Sequence, residues 1–153
     1  MLRRLRASTR RSFEGVLLSG ERFWALRSGS EAFAGLGDWP SVEAIDAALS
    51  GRAGVRFVPA ARRPRRHRGP VDLEDLYDAH IVRGEVPTRA RDWHDLLNAL
   101  VWASFPRAKA ALHVRQHRAV QAWARERGTM LDDHTVAQLP NGRTRELDAL
   151  ALL

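Results

Sequence analysis

The fold is decided by residues 92–116, which read DWHDLLNALVWASFPRAKAALHVRQ. Apolar residues recur there at helical spacing on both sides of one proline, which predicts two consecutive helices. Asp92 is placed to cap the first helix, and Asp95 stands three residues later in the position of the capping-box acid. The first helix is predicted to end at Phe105, and Pro106 can begin the second because proline is tolerated at the first helical position.

The first of these helices has a mostly apolar surface, which predicts that it is buried. Its main stripe follows the i, i+3, i+4, i+7, i+8 pattern and consists of Trp93, Leu96, Leu97, Leu100 and Val101. Two polar residues, His94 and Asn98, lie off this stripe and are one turn apart. A buried imidazole or amide without a hydrogen-bond partner costs about 1–3 kcal/mol, so both side chains are candidates for a polar site.

The second helix mixes apolar and polar residues on the face that is predicted to be buried. The apolar members of that face are Ala108, Leu112, Ala119, Val120 and Trp123. Lys109 and Gln116 fall within the same arc, and His113 lies at its edge. His113 and His117 have the spacing that can hold a metal ion on a helix. Both are interpreted as surface residues, and no metal or cofactor is predicted.

Three shorter helices are predicted from the rest of the chain. They are expected over residues 13–26, 41–49 and 72–82. Gly51 and Gly54 are expected to end the second of these helices, and Gly84 fits the cap just past the third.

The predicted fold class is mainly α, a single helical domain with at most a short extended segment near Val55–Val58, where branched and aromatic residues alternate. Residues 59–70 predict a loop and residues 84–89 a connecting turn. Residues 1–38 are predicted to form a basic N-terminal segment with one helix, and residues 39–153 the main helical domain.

Composition excludes several classes of protein. The chain of 153 residues has no cysteine, which excludes disulfides, thiolate nucleophiles and iron–sulfur clusters. No apolar run approaches the roughly 18 residues that a membrane span requires. The arginine-rich start of the chain is not followed by an apolar segment of signal-peptide length. A mitochondrial presequence is an alternative interpretation of that start, but a soluble, cytoplasmic protein without membrane contact fits best.

The formal net charge of +7 raises the question of nucleic-acid binding. Residues 1–68 carry 14 arginines and 6 acidic residues, whereas residues 69–153 are nearly neutral. The positive charge is therefore concentrated at the N-terminus and in one cluster, Arg62, Arg63, Arg65, Arg66 and Arg68. We expect this cluster to be a solvated loop, and arginine-mediated nucleic-acid binding is the least favoured function.

Three segments resemble the signature of an uncharacterised bacterial family, domain of unknown function family 3025. They are GEVPTR at residues 84–89, WHDLLNALVW at 93–102 and FPRAKAAL at 105–112. Trp39-Pro40, Val55–Val58 and Asp148–Leu150 are also similar to that family. The resemblance implies a bacterial origin and no known activity, substrate or cofactor.

The resemblance also bears on individual residues and on the end of the chain. The motif residues that match are His94, Asp95, Asn98 and Lys109. The family usually has asparagine where this chain has His113, which counts against a metal role for that residue. Members also continue past the Asp-Ala-Leu segment, so the chain is expected to lack the family's C-terminal region. Its terminal leucines, Leu147, Leu150, Leu152 and Leu153, are then expected to be covered by a protein partner or to be poorly ordered.

We predict that the helix corner forms a site for an enzyme or for a small anionic ligand. His94 would act as the acid–base or ligand-orienting group, Asp95 as its partner, Asn98 as a hydrogen-bonding group and Lys109 as an anion holder or electrophile. The corner would bring these four side chains into one cluster. Further ligand contacts are predicted from Arg89, His113 and Gln116.

Two interpretations compete with this site. The polar cluster can instead be a buried network within a structural or partner-binding module. The His94-Asp95 pair also occurs in metal-dependent phosphohydrolases, with His67 or His80 as a further ligand and Asp132, Asp133 or Asp148 as the last one. A single His-Asp pair arises easily by chance in a chain with 6 histidines.

Overall fold

The computed structural model of the chain describes residues 12–61, 71–72, 76–126 and 135–136. Two 3₁₀ segments come first, Gly15–Ser19 and Glu21–Leu26. The helices are α1 (Arg27–Ser30), α2 (Val42–Ala53), α3 (Tyr77–Val82), α4 (Trp93–Ser104) and α5 (Pro106–Glu126). The strands are β1 (Arg56–Pro59), β2 (Val71–Asp72), β3 (Glu85–Thr88) and β4 (Thr135–Val136). The prediction of a mainly α fold is confirmed. Within the described ranges, no helix combines the length and apolar character needed to cross a bilayer.

The residues group into two compact units. Unit 1 comprises Met1–Ala60 and Val86–Pro106, and unit 2 comprises Ala61–Glu85 and Arg107–Leu153. Unit 1 therefore contains α1, α2 and α4, whereas α3 and nearly all of α5 belong to unit 2. The division of the chain at residues 38 and 39 stays a prediction.

Helix α4 is the centre of unit 1 because it packs against both α1 and α2. Its buried residues are Leu96, Ala99, Leu100, Trp102 and Ala103. Close approach of α1 depends on Gly29, where an added Cβ would lie 3.2 Å from Leu100 Cδ2 and 3.3 Å from Leu49 Cδ2. The apolar stripe predicted for α4 is only partly confirmed. Trp93, Leu97 and Val101 are half-buried, because the packed face of the helix includes Ala99 and Ala103 instead.

The start of α2 was predicted correctly. Ser41 caps it by accepting a hydrogen bond of 3.2 Å from the Ala44 N–H. The helix ends at Gly54, whose φ of 68° lies in the left-handed region that favours glycine. The expectation that Gly51 also ends the helix was wrong, because Gly51 lies inside α2.

Strand β1 is attached to α2 and to β3 by hydrogen bonds. Asp46 of α2 accepts from the backbone N–H of Phe57 at 2.8 Å and from the Arg56 guanidinium at 3.0 Å. The Ala60 N–H donates to the Thr88 carbonyl at 2.9 Å. Strand β1 matches the extended segment that was predicted at residues 55–58.

The prediction of a turn over residues 84–89 was wrong, because β3 occupies Glu85–Thr88. Its β-branched residues Val86 and Thr88 are buried and face the same side, as alternation in a strand requires. Gly84 precedes the strand with a φ of 84°, just past α3 as expected. Gly84 therefore precedes the strand, and Pro87 lies within it.

Two predicted helices differ from the observed elements. The segment 13–26 forms two 3₁₀ pieces with a kink at Phe23, which has a φ of −105°. In the segment 72–82, Tyr77–Val82 is helical and residues 73–75 lie outside the described residues. Val71–Asp72 pairs as β2 with β4 in antiparallel register. Short apolar patterns did not distinguish these alternatives.

Unit 2 buries polar residues of α5. The buried residues of that helix are His113, His117 and Ala124, and Ala124 packs against Leu76, Val120 and Trp123. The interpretation of both histidines as surface residues was therefore wrong. Ala108, predicted to be buried, is exposed. The packed face is displaced from the predicted one because Asp78 of α3 bonds to His113, which lets an imidazole occupy a buried position.

Candidate functional site

The polar site of unit 1 is built by the loop that joins β3 to α4. Asp92 ends this loop and caps α4: its Oδ1 accepts from the His94 N–H at 3.0 Å and the Asp95 N–H at 3.3 Å. The predicted cap is confirmed. Because Asp92 satisfies these amide groups, the helix start does not depend on a bound anion for their hydrogen bonds.

The Asp95 carboxylate bonds to Arg89 at the opposite end of the loop. Asp95 Oδ2 accepts from the Arg89 backbone N–H at 2.7 Å and from its Nε at 2.9 Å, and Oδ1 accepts from the guanidinium at 2.8 Å. The side chain of Asp95 is 12% exposed. This bidentate arrangement is the strong, oriented form of an arginine–carboxylate pair, and it fixes the plane of the carboxylate.

Asp95 is held in its ionised form. Burial opposes ionisation, but hydrogen bonds from Arg89 and His94 outweigh burial and lower the pKa of Asp95 to about 2. At neutral pH this group is therefore a carboxylate that accepts hydrogen bonds and does not donate them.

His94 is the exposed partner of that carboxylate. Its Nδ1 lies 2.9 Å from Asp95 Oδ1, and its side chain is 81% exposed. Because an ionised carboxylate only accepts hydrogen bonds, Nδ1 must carry the hydrogen. In the neutral ring the lone pair is then on Nε2. His94 and Asp95, which were predicted to act together, are brought together by this bond.

A cleft of about 400 Å³ lies beside this pair. It is lined by Arg89, Arg91, Asp92, Trp93 and His94. Across the described ranges, Arg91 is the one non-glycine residue with positive φ, at 57°. Left-handed backbone at such a residue costs about 1–2 kcal/mol, and residues of this kind are concentrated at functional sites.

The Arg91 side chain is held in place by Asp38. The Arg91 guanidinium lies 3.2 and 3.3 Å from the two carboxylate oxygens of Asp38. The Trp39 backbone N–H and then Arg91 lower the pKa of Asp38, which keeps its negative charge. The Arg91 guanidinium is thus held at the cleft, although the left-handed backbone conformation of this residue is unfavourable for arginine.

Trp93 connects the cleft to an aromatic cluster. Its ring centroid lies 5.2 Å from that of Phe13 and 5.0 Å from that of Trp39, and the Phe13 and Trp39 centroids are also 5.2 Å apart. Contacts at these distances restrict the ring. The wall of the cleft that Trp93 forms is therefore rigid.

The donor atoms of Asp92, His94 and Asp95 lie within 4.8 Å of one another, close enough to surround a cation. Arg89 already uses both oxygens of Asp95, and it lies 3.3 Å from Asp92 Oδ2. A metal ion would have to displace this guanidinium. The Arg89 guanidinium therefore already occupies the place that a metal ion would need.

Three of the predicted site residues, Lys109, His113 and Gln116, belong to unit 2. Lys109 is half-buried; desolvation lowers its pKa, and the Asp78 carboxylate opposes that change. His113 Nδ1 lies 2.7 Å from Asp78 Oδ1, and the Tyr77 ring packs edge-on against His113 at 5.7 Å. Gln116 is half-buried on the same helix.

The structure brings Arg89 and His94 together, because both bond to the Asp95 carboxylate. Asn98 lies one turn further along α4 and is half-buried. The four-residue cluster that includes Lys109 stays a prediction. Sequence reasoning missed Arg91, although an arginine two residues from Arg89 and beside a helix cap was an available signal. It also missed Asp78, which is 35 residues from its partner His113.

A family model described as "Protein of unknown function (DUF3025)" matches residues 55–138, which is more than half of the chain. The chain belongs to this family. The DUF3025 match contains all the cleft-lining residues and also Asp78, Lys109 and both buried histidines. The similarities at Trp39-Pro40 and at Asp148–Leu150 lie outside the match and stay expectations. No curated protein and no solved structure matches the chain significantly.

Proposed function

We propose that this DUF3025 chain is an enzyme, or a small-ligand-binding protein, whose ligand occupies the cleft at the start of α4. The observation that carries this proposal is the bond between His94 Nδ1 and the Asp95 carboxylate, formed by a histidine that is otherwise exposed. An imidazole that is oriented through one nitrogen and open at the other is suited to proton transfer.

The chemistry follows from the charge state of Asp95. Because its pKa is lowered to about 2, Asp95 does not take the proton from His94 at neutral pH. It holds the ring in one tautomer and stabilises the imidazolium that forms when Nε2 accepts a proton. Arg89 is then a positioning residue, since it touches Asp95 rather than the open nitrogen.

The ligand class is proposed from the cations at the cleft. Arg91 supplies a guanidinium that suits carboxylate or phosphate groups. Trp93 offers an apolar wall beside it. A small anion with a planar or apolar part fits these two features. Asn98 and Lys109 remain in the proposal as a hydrogen-bonding group and as an anion holder or electrophile.

A structural role is the second candidate. The Arg89–Asp95 pair joins the end of β3 to the first turn of α4, and such a link can serve simply to fix the loop. A module of this kind would bind a protein partner, for which the expected C-terminal surface lies outside the described residues. The arginines at 1–11 and 62–68 also lie outside them, so nucleic-acid binding stays the least favoured prediction. A bacterial origin and a cytoplasmic location remain parts of the proposal.

The proposal is tested by a thermal-shift screen against phosphorylated metabolites, nucleotides and carboxylic acids. A ligand at about 100 times its Kd stabilises the folded state by about 2.7 kcal/mol, which is a clear rise in Tm. We expect at least one compound to raise the Tm of the unchanged chain and of His80→Gln, but not of His94→Gln. His80 is a matched control because it lies in unit 2, near Arg83 and Glu85. A complete screen without any response favours the structural role.

A further inference from the structure

Unit 2 buries two histidines one helical turn apart on α5. His113 is 6% exposed and His117 is 9% exposed. Residues at i and i+4 share one helix face, with their Cβ atoms about 5–6 Å apart. This is the spacing at which two histidines of one helix can bind a single metal ion.

Asp78 orients the first of these rings. Its Oδ1 lies 2.7 Å from His113 Nδ1, and the carboxylate is itself half-buried. With the hydrogen on Nδ1, the neutral ring carries its lone pair on Nε2. Histidines that bind metals almost always donate their other ring N–H to a carboxylate, a carbonyl or water, and this pair has that form.

His117 provides an independent observation. Its side chain is nine-tenths buried, and its Nδ1 has no hydrogen-bond partner among the residues that the structure describes. A buried polar atom without a partner costs about 1–3 kcal/mol. A metal ion bound to His117 Nδ1 would give this nitrogen the partner that it lacks.

We propose that His113 and His117 bind a divalent transition-metal ion, with Asp78 as the residue that positions His113. Imidazole nitrogen favours zinc, copper or nickel over magnesium or calcium, which require oxygen ligands. The chain contains no cysteine, so a thiolate site for the same ion is excluded. Zinc is the ion we name for the test. The proposal is independent of the cleft in unit 1.

The charges nearby are compatible with such an ion. Lys109 lies one turn before His113 on α5, and its ammonium would repel a cation. The Asp78 carboxylate acts on Lys109 and also contacts His113, so it offsets that repulsion.

Isothermal titration of the metal-free full chain with Zn²⁺ tests the site. We expect one site in the unchanged chain, its loss in His113→Gln and in His117→Gln, and roughly 10–100-fold weaker binding in Asp78→Asn. His80→Gln, in the same unit, is the matched control and should bind zinc as the unchanged chain does. Loss of zinc in Asp92→Asn, with binding kept in the two α5 variants, would place the ion in unit 1 and overturn the proposal.

A second measurement guards against variants that fail to fold. In ¹H–¹³C spectra of the unchanged chain, Zn²⁺ should shift the ring signals of His113 and His117 before those of the other 4 histidines. Absence of binding, or shifts confined to other histidines, would contradict the proposal whatever the variants do.

Discussion

His94 and His113 each bond through Nδ1 to an aspartate, but the two pairs are built differently. His94 and Asp95 are neighbours in sequence, and the histidine is 81% exposed. His113 and Asp78 come from two helices, and the side chain of His113 is only 8% exposed. In unit 1 the Asp95 carboxylate is bonded to Arg89. In unit 2 the Asp78 carboxylate interacts electrostatically with Lys109, which is on the same helix as His113. The same pair of residues can therefore direct a free nitrogen toward solvent or hold a ring inside a core.

The largest expected effect separates the two pairs by their contribution to stability. Asp78→Ala leaves a buried imidazole N–H without its acceptor, so it should lower the free energy of unfolding by about 1–3 kcal/mol. His94→Ala removes an exposed side chain and should change that free energy by less than about 0.5 kcal/mol. Urea denaturation of both variants measures the difference. Equal decreases in the free energy of unfolding would show that the buried pair contributes no more to stability than the exposed pair.

A smaller effect is expected at the cap that supports the exposed pair. Asp92→Ala removes the acceptor of the His94 and Asp95 N–H groups and should cost about 1 kcal/mol. Asp92→Asn retains an oxygen acceptor and is the matched control, with a smaller loss. Thermal or urea unfolding measures the stabilities of the two variants. An alanine variant as stable as the asparagine variant would show that the Asp92 cap does not contribute to stability.

A third effect is confined to the acid range. The pKa of Asp95 is lowered to about 2 in the folded chain from an ordinary value of 3.8, so its contribution to stability is complete above the ordinary pKa. That contribution is lost as the pH falls from about 4 through about 2. In Asp95→Asn this part of the pH dependence should be absent. Unfolding midpoints measured between about pH 2 and 5 test this, and parallel curves for the two proteins would disprove it.

Local signals in the sequence predicted much of unit 1. The Asp92 cap, the start of α2, the mainly α class and the pairing of His94 with Asp95 all depend on residues within a few positions of one another. The bond from Arg89 to Asp95 was not predicted, although both residues were named as site members. This bond depends on the direction of the Arg89 side chain in the loop between β3 and α4, and no short sequence pattern encodes that direction.

Long-range packing explains what the sequence did not reveal. Strand β3 looked like a turn because Gly84 precedes it and Pro87 lies within it. Val86 and Thr88 are nevertheless buried, and Thr88 accepts a hydrogen bond from Ala60, which is distant in sequence. The buried face of α5 was misplaced because histidines were counted as surface residues. Asp78 makes that burial favourable, and its position 35 residues away in sequence gave no signal.

The central claim is that Asp95 holds His94 in the tautomer that presents a lone pair at Nε2. Long-range ¹H–¹⁵N spectra of the histidine rings report directly which nitrogen carries the hydrogen. In the neutral ring we expect a protonated Nδ1 in the unchanged chain and a loss of that preference in Asp95→Ala. A ring protonated at Nε2, or a tautomer that the variant leaves unaltered, would contradict it.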